Sequence, residues 1–311
     1  MDPMTRLAAT FVYYAAAAVA RLPWAWLNAL GDGVAWLWRR IDAREARVAR
    51  RNLELAMPWL DARQRESLQR KVLRTTARQA LETLVFWTRP MRRNLALIRE
   101  THGTGLLDAA IGAGRGVIVA APHHGNWELL NQWLVHRTPI AILYRPPESA
   151  VGEAFLRRTR ACARDRVTQV PAEGAAVRKL LRRLQEGGVV GILPDQQPKA
   201  GEGVFAPFFG KPALTMRLLP RLAACTGAPV LFAWCERIEA PGSEPTFALH
   251  IEAAPAAIAS EDPVEAATAL NAAVESIARR APAQYQWTYK RYTLRPPDSG
   301  ETNPYRDLER H

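Results

Sequence analysis

The residues with the clearest capacity for chemistry lie in segment 119–130, which reads VAAPHHGNWELL. His123 and His124 stand before Gly125, and Glu128 follows shortly after. A carboxylate that accepts one ring N–H of a histidine fixes its tautomer and leaves the other nitrogen as a general base. The chain contains no GxSxG serine, so we expect the substrate to supply the nucleophile. The pattern therefore indicates direct transfer to an acceptor alcohol.

The elements that must position these residues form an alternating series of strands and helices. This alternation predicts an α/β fold with a mixed, mostly parallel sheet flanked by helices. Ligands of such sheets bind beyond the carboxyl ends of the strands, where the two histidines fall. Gly125 permits a tight turn and Asn126 can cap the next helix, so that a histidine and Glu128 approach each other. The predicted strands are 116–121, 139–145, 188–194, 229–235 and 246–252, and the helices between and after them are 126–137, 152–165, 173–186, 212–227 and 262–280.

Two further stretches complete the prediction. Residues 40–100 are expected to be helical, with Asp61 as a helix cap and Pro90 as a stop. Residues 194–213 form a long irregular stretch, which in a compact domain is usually functional.

Other roles for the histidine pair remain open. A metal site is not expected, because HHxxxE lacks the HExxH order and no later His or Cys clearly completes a ligand set. A purely structural pair that caps the sheet is the remaining alternative.

The N-terminal segment has the character of a membrane-associated region. Two apolar stretches, 7–20 and 22–38, precede a basic run that reads RRIDAREARVARRN. Neither stretch alone reaches the roughly 20 apolar residues of a transmembrane helix. Tryptophans at the ends of the second stretch suit a membrane interface, and basic clusters beside apolar helices bind anionic lipid. We expect an uncleaved membrane anchor, or a helical pair that lies in the membrane interface on the cytoplasmic face, with the rest of the chain cytoplasmic and a buried helical hairpin as the alternative.

The charge and cysteine content restrict the partners and the compartment. The net charge of +12 calls for an acidic partner, such as nucleic acid, anionic lipid or an acidic carrier protein. Nucleic acid lacks support, because no recognised binding motif is present. Cys162, Cys225 and Cys235 have no CxxC spacing and are expected to be reduced core residues.

Four motifs, in order over roughly residues 5–297, resemble the bacterial lipid A secondary (late) acyltransferases, within the glycerophosphate and lysophospholipid acyltransferase superfamily. HHGNWE is similar to the family's H-x4-E/D motif. The other similar segments are YRPPESAVGEAFLRRTR (144–160), GGVVGILPDQQPKAGEGVFAPFFGKPALT (187–215) and PAQYQWTYKRYTLRPP (282–297). The last one departs from the family by lacking a histidine, so we assign no catalysis there.

The resemblance implies roles for individual residues. His123 matches the general base and Glu128 its orienting carboxylate. Arg160, with Arg145 as the nearby alternative, would bind substrate, and Asp195 would pair with Arg160. The further substrate-binding residues that it implies are Asn126, Phe208, Phe209 and Gly210, where simple packing of the two phenylalanines stays open.

The implied activity is transfer of a fatty acyl chain from acyl carrier protein to a hydroxyl of a lipid A precursor, without a metal, cofactor or covalent intermediate. The expected partners are acidic acyl carrier protein, an anionic phosphorylated glycolipid and the inner-membrane surface, but no nucleic acid. The alternatives are a lysophospholipid or aminolipid acceptor, a thioesterase or hydrolase, and a non-catalytic binding protein. The expected divisions are a membrane-anchoring segment at 1–40, an acyltransferase domain at 41–297 with a helical cap at 41–100, and a tail at 298–311.

Overall fold

A computed structural model describes residues 3–144, 149–159, 165–171, 176–238, 242–297 and 299–309 of the chain. The α-helices in these ranges are α1 (Pro3–Val19), α2 (Trp24–Arg40), α3 (Arg44–Ala56), α4 (Ala62–Thr88), α5 (Met91–Leu95), α6 (Thr104–Gly112), α7 (Trp127–Arg137), α8 (Ala150–Thr159), α9 (Ala176–Gln185), α10 (Leu218–Thr226) and α11 (Pro263–Arg280). The strands are β1 (Ile98–His102), β2 (Val117–Ala120), β3 (Ile140–Tyr144), β4 (Val167–Pro171), β5 (Val189–Ile192), β6 (Gly203–Phe208), β7 (Lys211–Met216), β8 (Val230–Ile238) and β9 (Thr246–Ala253). Short 3-10 helices cover Ala256–Ala259, Pro282–Gln284 and Arg306–Glu309.

The central sheet has strand order β1-β9-β8-β2-β5-β3-β4. All neighbouring strands run parallel except β8 and β9, which are antiparallel. Strands β2 and β5 are buried along their whole length, as expected when helices cover both faces. Val117 and Val119 pack in a core with α7, whereas Ile118 and Ala120 pack in a second core with α9, α10 and α11. The predicted fold class, an α/β fold with a mostly parallel mixed sheet, is therefore confirmed.

The five strands predicted from the sequence are all present, and Asp61 caps α4 as expected. Its side chain accepts a hydrogen bond from the backbone of Gln64 in a reciprocal capping box. Strands β1 and β4 were not predicted. Their burial patterns are mostly exposed or intermediate, because they form the two edges of the sheet, and so they lack a continuous apolar run.

The irregular stretch predicted at 194–213 is confirmed for residues 194–202, but the prediction is wrong from residue 203 onward, as is the helix start predicted at 212. An antiparallel hairpin of β6 and β7 occupies residues 203–216, and α10 begins only at Leu218. The hairpin reverses at Phe209 and Gly210, which both have positive φ angles. The ends of the predicted helices 152–165 and 173–186 lie partly outside the described residues.

The two N-terminal helices pack against α4 and the body of the protein. The guanidinium group of Arg89 hydrogen-bonds to the carbonyl of Ala20, between α1 and α2, and stacks on the Trp24 ring at 5.0 Å. Arg78 of α4 forms a bidentate ion pair with Asp32 of α2, at 2.7 and 2.8 Å. Both helices have 17 residues, and within the described parts of the chain no helix has the length and apolar character needed to cross a bilayer.

The outer side of this helix pair is nevertheless apolar. Phe11 is 74% exposed, Trp26 68% and Trp36 62%. The pair is thus not an ordinary buried hairpin. We call its exposed residues the N-terminal apolar surface: Met4, Leu7, Phe11, Val12, Tyr14, Trp26, Leu30, Trp36, Leu37 and Ile41.

The segment expected to be a tail contacts α3. Tyr305 is fully buried and its hydroxyl donates to the side chain of Asn52. Arg51 of α3 pairs with Asp307 at 2.8 Å. The part of this segment around Tyr305 and Asp307 is therefore packed against the body of the protein.

Candidate active site

The turn between β2 and α7 carries His123, and a glycine lets this turn lie directly against strand β8. Gly125 has a φ angle of 63°, and a Cβ atom there would lie 2.0 Å from the carbonyl oxygen of Cys235. The backbone N–H of Asn126 donates to that same carbonyl at 2.7 Å. Only glycine fits such a close approach of two backbones.

Asn126 links the turn to a buried polar network. Its side-chain oxygen accepts from the backbone of Leu129 at 3.2 Å, which confirms the predicted cap of α7. Its amide nitrogen donates to Glu82 of α4 at 3.0 Å. Arg237 of β8 forms an ion pair with Glu82 and donates to Asn28 of α2 at 3.2 Å. Burial raises the pKa of Glu82 above its usual value, and Arg237 and Asn126 oppose that effect. The turn is thus supported by the Glu82 network, formed by Asn28, Glu82, Asn126 and Arg237.

Asp195 holds the ring of His123. Its Oδ1 lies 2.7 Å from Nδ1 of His123, and its Oδ2 accepts from the His123 backbone N–H at 2.8 Å. This pairing follows from the sheet, because β2 and β5 are adjacent and parallel and their carboxyl ends meet at one edge. Burial acts to raise the pKa of Asp195, but the charge and the hydrogen bonds of His123 outweigh it and hold this pKa below the usual value.

Gln196 lies at the other nitrogen of the same ring. The side-chain nitrogen of Gln196 is 3.2 Å from Nε2 of His123. Because the carboxylate of Asp195 accepts at Nδ1, Nδ1 carries the proton of the neutral ring and Nε2 keeps its lone pair. The imidazole is therefore arranged as a base at Nε2.

His123, Glu128 and Gln196 line a cavity of about 1800 Å³, large enough for a long acyl chain. Its wall contains many apolar side chains of the sheet and of α7, among them Val119, Leu130, Leu134, Val135, Ile140 and Ile142. The cavity is lined by helices from both faces of the sheet. Phe86 and Trp87 belong to α4 on one face, and Val177 of α9 and Leu218 of α10 belong to the other. Tyr13 of α1 and Arg158 of α8 also border it, with the Arg158 guanidinium 4.6 Å from the Tyr13 ring centre.

The structure assigns the Nδ1 contact to a different carboxylate from the one predicted. Glu128, the predicted orienting carboxylate, is buried in the first turn of α7 and lines the cavity. Asp195 was predicted to pair with Arg160, whereas in the described residues it binds His123. Arg160 and Arg145 lie outside the described residues.

Of the other predicted site residues, Phe208 and Phe209 are buried, whereas Gly210 is exposed. Phe208 and Phe209 pack with Tyr285, Trp287 and Tyr292, and neither they nor Gly210 is among the residues that line the cavity. The packing alternative therefore describes the two phenylalanines.

His124 is fully buried, with its Nε2 3.8 Å from Glu236, and it is not among the cavity-lining residues. Asn126 is also buried and acts through its cap and the Glu82 network. Of the three cysteines, Cys235 is buried as expected, Cys225 is exposed instead, and Cys162 lies outside the described residues.

Sequence reasoning missed Gln196 and Glu82. A signal for Gln196 was present, because Asp195 and Gln196 follow an apolar strand as His123 does. Glu82 carried no such signal, since it is a single acid in a long helix with many charges.

An imidazole held by a buried carboxylate on the wall of a large cavity is the arrangement expected of a transferase that activates an acceptor hydroxyl. The comparisons with known proteins agree with this class. Residues 3–293 match the model of the bacterial lipid A biosynthesis acyltransferases. The chain belongs to this family.

The curated relatives include two acyltransferases of Escherichia coli (strain K12). The chain is 28% identical over 301 residues to the lipid A biosynthesis palmitoleoyltransferase, which covers 90% of this chain and 94% of that protein. It is 26% identical over 280 residues to the lipid A biosynthesis lauroyltransferase, which covers 89% of each chain. A shorter similarity, 30% over 141 residues and 45% of this chain, relates it to a phosphatidylinositol mannoside acyltransferase of Mycobacterium tuberculosis, 44% of which is covered.

Proposed function

We propose that this protein is an O-acyltransferase of lipopolysaccharide biosynthesis that moves a fatty acyl chain from the thioester of acyl carrier protein to a hydroxyl of a lipid A precursor. The observation that carries the proposal is the geometry of His123, which has a carboxylate 2.7 Å from Nδ1 and lies on the wall of a cavity of about 1800 Å³ with many apolar lining residues. The family and the curated relatives support the acceptor class.

The reaction follows from this arrangement. The acceptor hydroxyl gives its proton to Nε2 of His123 while its oxygen attacks the thioester carbonyl carbon. The carbonyl electrons move to oxygen, and the tetrahedral intermediate then expels the thiolate, which takes the proton from Nε2. Asp195 keeps the ring in the required tautomer and stabilises the imidazolium that forms. No covalent enzyme intermediate is needed.

Glu128 retains a proposed role beside this pair. It lines the same cavity as His123 from the first turn of α7 and belongs to the motif that the family shares. We propose that it contributes to the placement of His123 and substrate, while Asp195 supplies the direct hydrogen bond to the ring.

The membrane position proposed for the protein is an interfacial one, at the cytoplasmic face of the inner membrane. The N-terminal apolar surface carries exposed tryptophans and aliphatic side chains, and Arg39, Arg40 and Arg44 are close by in the chain. Such a surface is typical of helices that lie in the interface of anionic bilayers. Because Tyr13 of α1 borders the cavity, this placement brings the lipid acceptor close to His123.

The decisive experiment incubates the purified protein with acyl carrier protein loaded with a fatty acid and a lipid A precursor. We expect mass spectrometry to find the precursor heavier by one acyl chain, and His123→Ala to abolish this product. Release of free fatty acid at the same rate without acceptor would identify a thioesterase instead. Acylation of a lysophospholipid or aminolipid, but not of lipid A precursor, would change the acceptor class.

The matching cellular experiment compares lipid A from cells with and without the gene for this protein. The mass difference identifies the acceptor and the acyl group together. Identical lipid A in both strains would contradict the proposed function.

A further inference from the structure

We propose that Gln196 is a further catalytic residue, whose side-chain amide occupies Nε2 of His123 until the acceptor arrives and then donates to the oxyanion of the tetrahedral intermediate. This inference rests on the proposed acyl transfer and adds the group that stabilises its intermediate. The side-chain amide nitrogen of Gln196 lies 3.2 Å from Nε2 of His123.

That contact lies at the reacting atom. Nδ1 of His123 is bound by Asp195, so Nε2 is the nitrogen that must receive the hydroxyl proton. Gln196 donates to this same lone pair and lines the cavity together with His123. In the described part of the chain, Gln196 is the only side-chain donor placed against Nε2.

The backbone on both sides of Gln196 is fixed. Both oxygens of Asp195 are bound to His123. On the other side, the backbone N–H of Gln197 donates to the hydroxyl of Tyr289 at 3.0 Å, and its side-chain oxygen accepts from the backbone of Leu294 at 2.9 Å. The Cα atom of Gln196 is therefore held in place while its side chain, which is only partly buried, projects into the cavity.

The chemistry of an amide suits both parts of the role. When the acceptor hydroxyl takes the hydrogen-bonding position at Nε2, it displaces the amide. The thioester carbon must then lie next to the hydroxyl oxygen, so the carbonyl oxygen forms its negative charge within reach of the displaced N–H groups. A neutral amide donates to this oxyanion without competing with His123 for the proton.

The first test needs no substrate. The ring nitrogens of His123 are followed by NMR during a pH titration of ¹⁵N-histidine-labelled wild-type protein and Gln196→Ala. Removal of a donor to the Nε2 lone pair destabilises the neutral ring, so we expect its titration midpoint to move to higher pH in the variant. An unchanged midpoint contradicts the contact with Nε2.

The second test uses the acyl transfer reaction and separates kcat from KM. Removing one oxyanion donor typically costs about 10²- to 10³-fold in kcat, and we expect that loss in Gln196→Ala with KM changed by less than about threefold. Gln196→Glu keeps the shape but places a carboxylate at the oxyanion, so its kcat should fall below that of Gln196→Ala. The acid limb of the kcat/KM profile should move to higher pH in both variants.

Controls keep the outcome specific to Gln196. The exposed Gln185 at the end of α9 offers a matched change, and Gln185→Glu should leave kcat unchanged. If Gln196→Ala does not fold, Gln196→Asn is the second variant. Its side chain is one methylene shorter, so it should show a loss of kcat that is smaller than the loss expected for Gln196→Ala. A wild-type kcat in a folded Gln196→Ala protein, or a loss confined to KM, overturns the inference while the loss of activity in His123→Ala leaves the proposed function intact. An inactive wild-type protein contradicts the proposed function alone, because the NMR titration still tests the contact.

Discussion

The turn that carries His123 and the N-terminal helix pair border the same cavity but are built in opposite ways. In the turn, Gly125 lies directly on β8, and Asn126 is held by the buried Glu82 network. In the N-terminal pair, several large apolar side chains, such as Phe11 and Trp26, face outward. This difference suits the two proposed roles: proton transfer needs the fixed distances that the buried contacts of the turn provide, whereas a surface that meets lipid tolerates many contact geometries.

The largest effect is expected for His123→Ala, in the turn between β2 and α7. Removal of a general base typically costs up to about 10⁴-fold in rate, and we expect acyl transfer to fall by roughly that factor. Circular dichroism should show the wild-type fold, whereas the melting temperature should fall, because the change leaves the buried carboxylate of Asp195 without its ring partner. Retained activity in this variant would remove His123 as the base.

Asp195→Asn tests the contact that orients the base. An amide can present the wrong hydrogen-bonding group to Nδ1, so we expect kcat to fall by about 10³-fold with a smaller change in KM. Measured turnover of purified protein checks this.

The same variant has a pH signature in stability. Because the pKa of Asp195 in the folded protein is lowered, its ionised form stabilises the fold above the ordinary carboxyl range, and this contribution is lost as the pH falls through the folded value. The difference in unfolding free energy between wild type and Asp195→Asn should therefore be largest near neutral pH and shrink on acidification. A difference that grows in acid would contradict the direction of the shift.

Glu128 and His124 provide a sharper comparison within the turn. Glu128 lines the cavity and His124 does not, so we expect a larger loss of turnover for Glu128→Ala than for His124→Ala. We expect about 10²-fold for the former. The reverse order would transfer the functional role to the buried histidine.

Arg237→Met probes the network beneath the turn. It leaves the carboxylate of Glu82 buried without its cation, and loss of one partner of such a pair costs about 3 kcal/mol of unfolding free energy. The control is Arg182→Met, which removes the exposed pair of Arg182 and Glu186 at 3.2 Å and should cost less than about 1 kcal/mol. The double variant Glu82→Gln with Arg237→Met should recover part of this loss of unfolding free energy, as measured by urea denaturation. Equal losses for Arg237→Met and Arg182→Met would contradict a larger contribution of the buried pair.

The smallest expected effect concerns the N-terminal apolar surface. Replacing Trp26 and Trp36 together by alanine removes two exposed rings from α2, and we expect affinity for anionic phospholipid vesicles to fall about tenfold. Trp59 is 59% exposed but lies outside α1 and α2, so Trp59→Ala should lose less. Co-sedimentation with vesicles measures both, and a larger loss for Trp59→Ala would move the membrane contact away from the N-terminal pair.

The sequence was most informative where one local pattern decides the structure. Alternating apolar strands and helices predicted the parallel sheet, and Asn126 was correctly predicted to cap α7. The site was predicted only in part, because His123 was found from a local motif while its partner Asp195 comes from a separate strand. Sequence spacing favoured Glu128, and only the adjacency of β2 and β5 indicates that residue 195 reaches the ring.

The errors also have physical causes. The β6–β7 hairpin was missed because Pro207, Gly210 and Pro212 are typical of loops, yet here they lie at the tight reversal. The Glu82–Arg237 pair joins α4 to β8 over a long sequence separation, and no periodicity encodes that contact.

The position of Tyr13 has a practical consequence for anyone handling this protein. Helix α1 supplies part of the cavity wall as well as the outward-facing side chains, so its removal would not simply yield a better-behaved soluble enzyme. Truncation would expose the apolar wall of the cavity beside α8 to solvent. It would also leave Phe155, which Tyr13 contacts, without part of its packing. Preparations intended for assays should therefore retain the first helix and be kept dispersed with detergent or lipid.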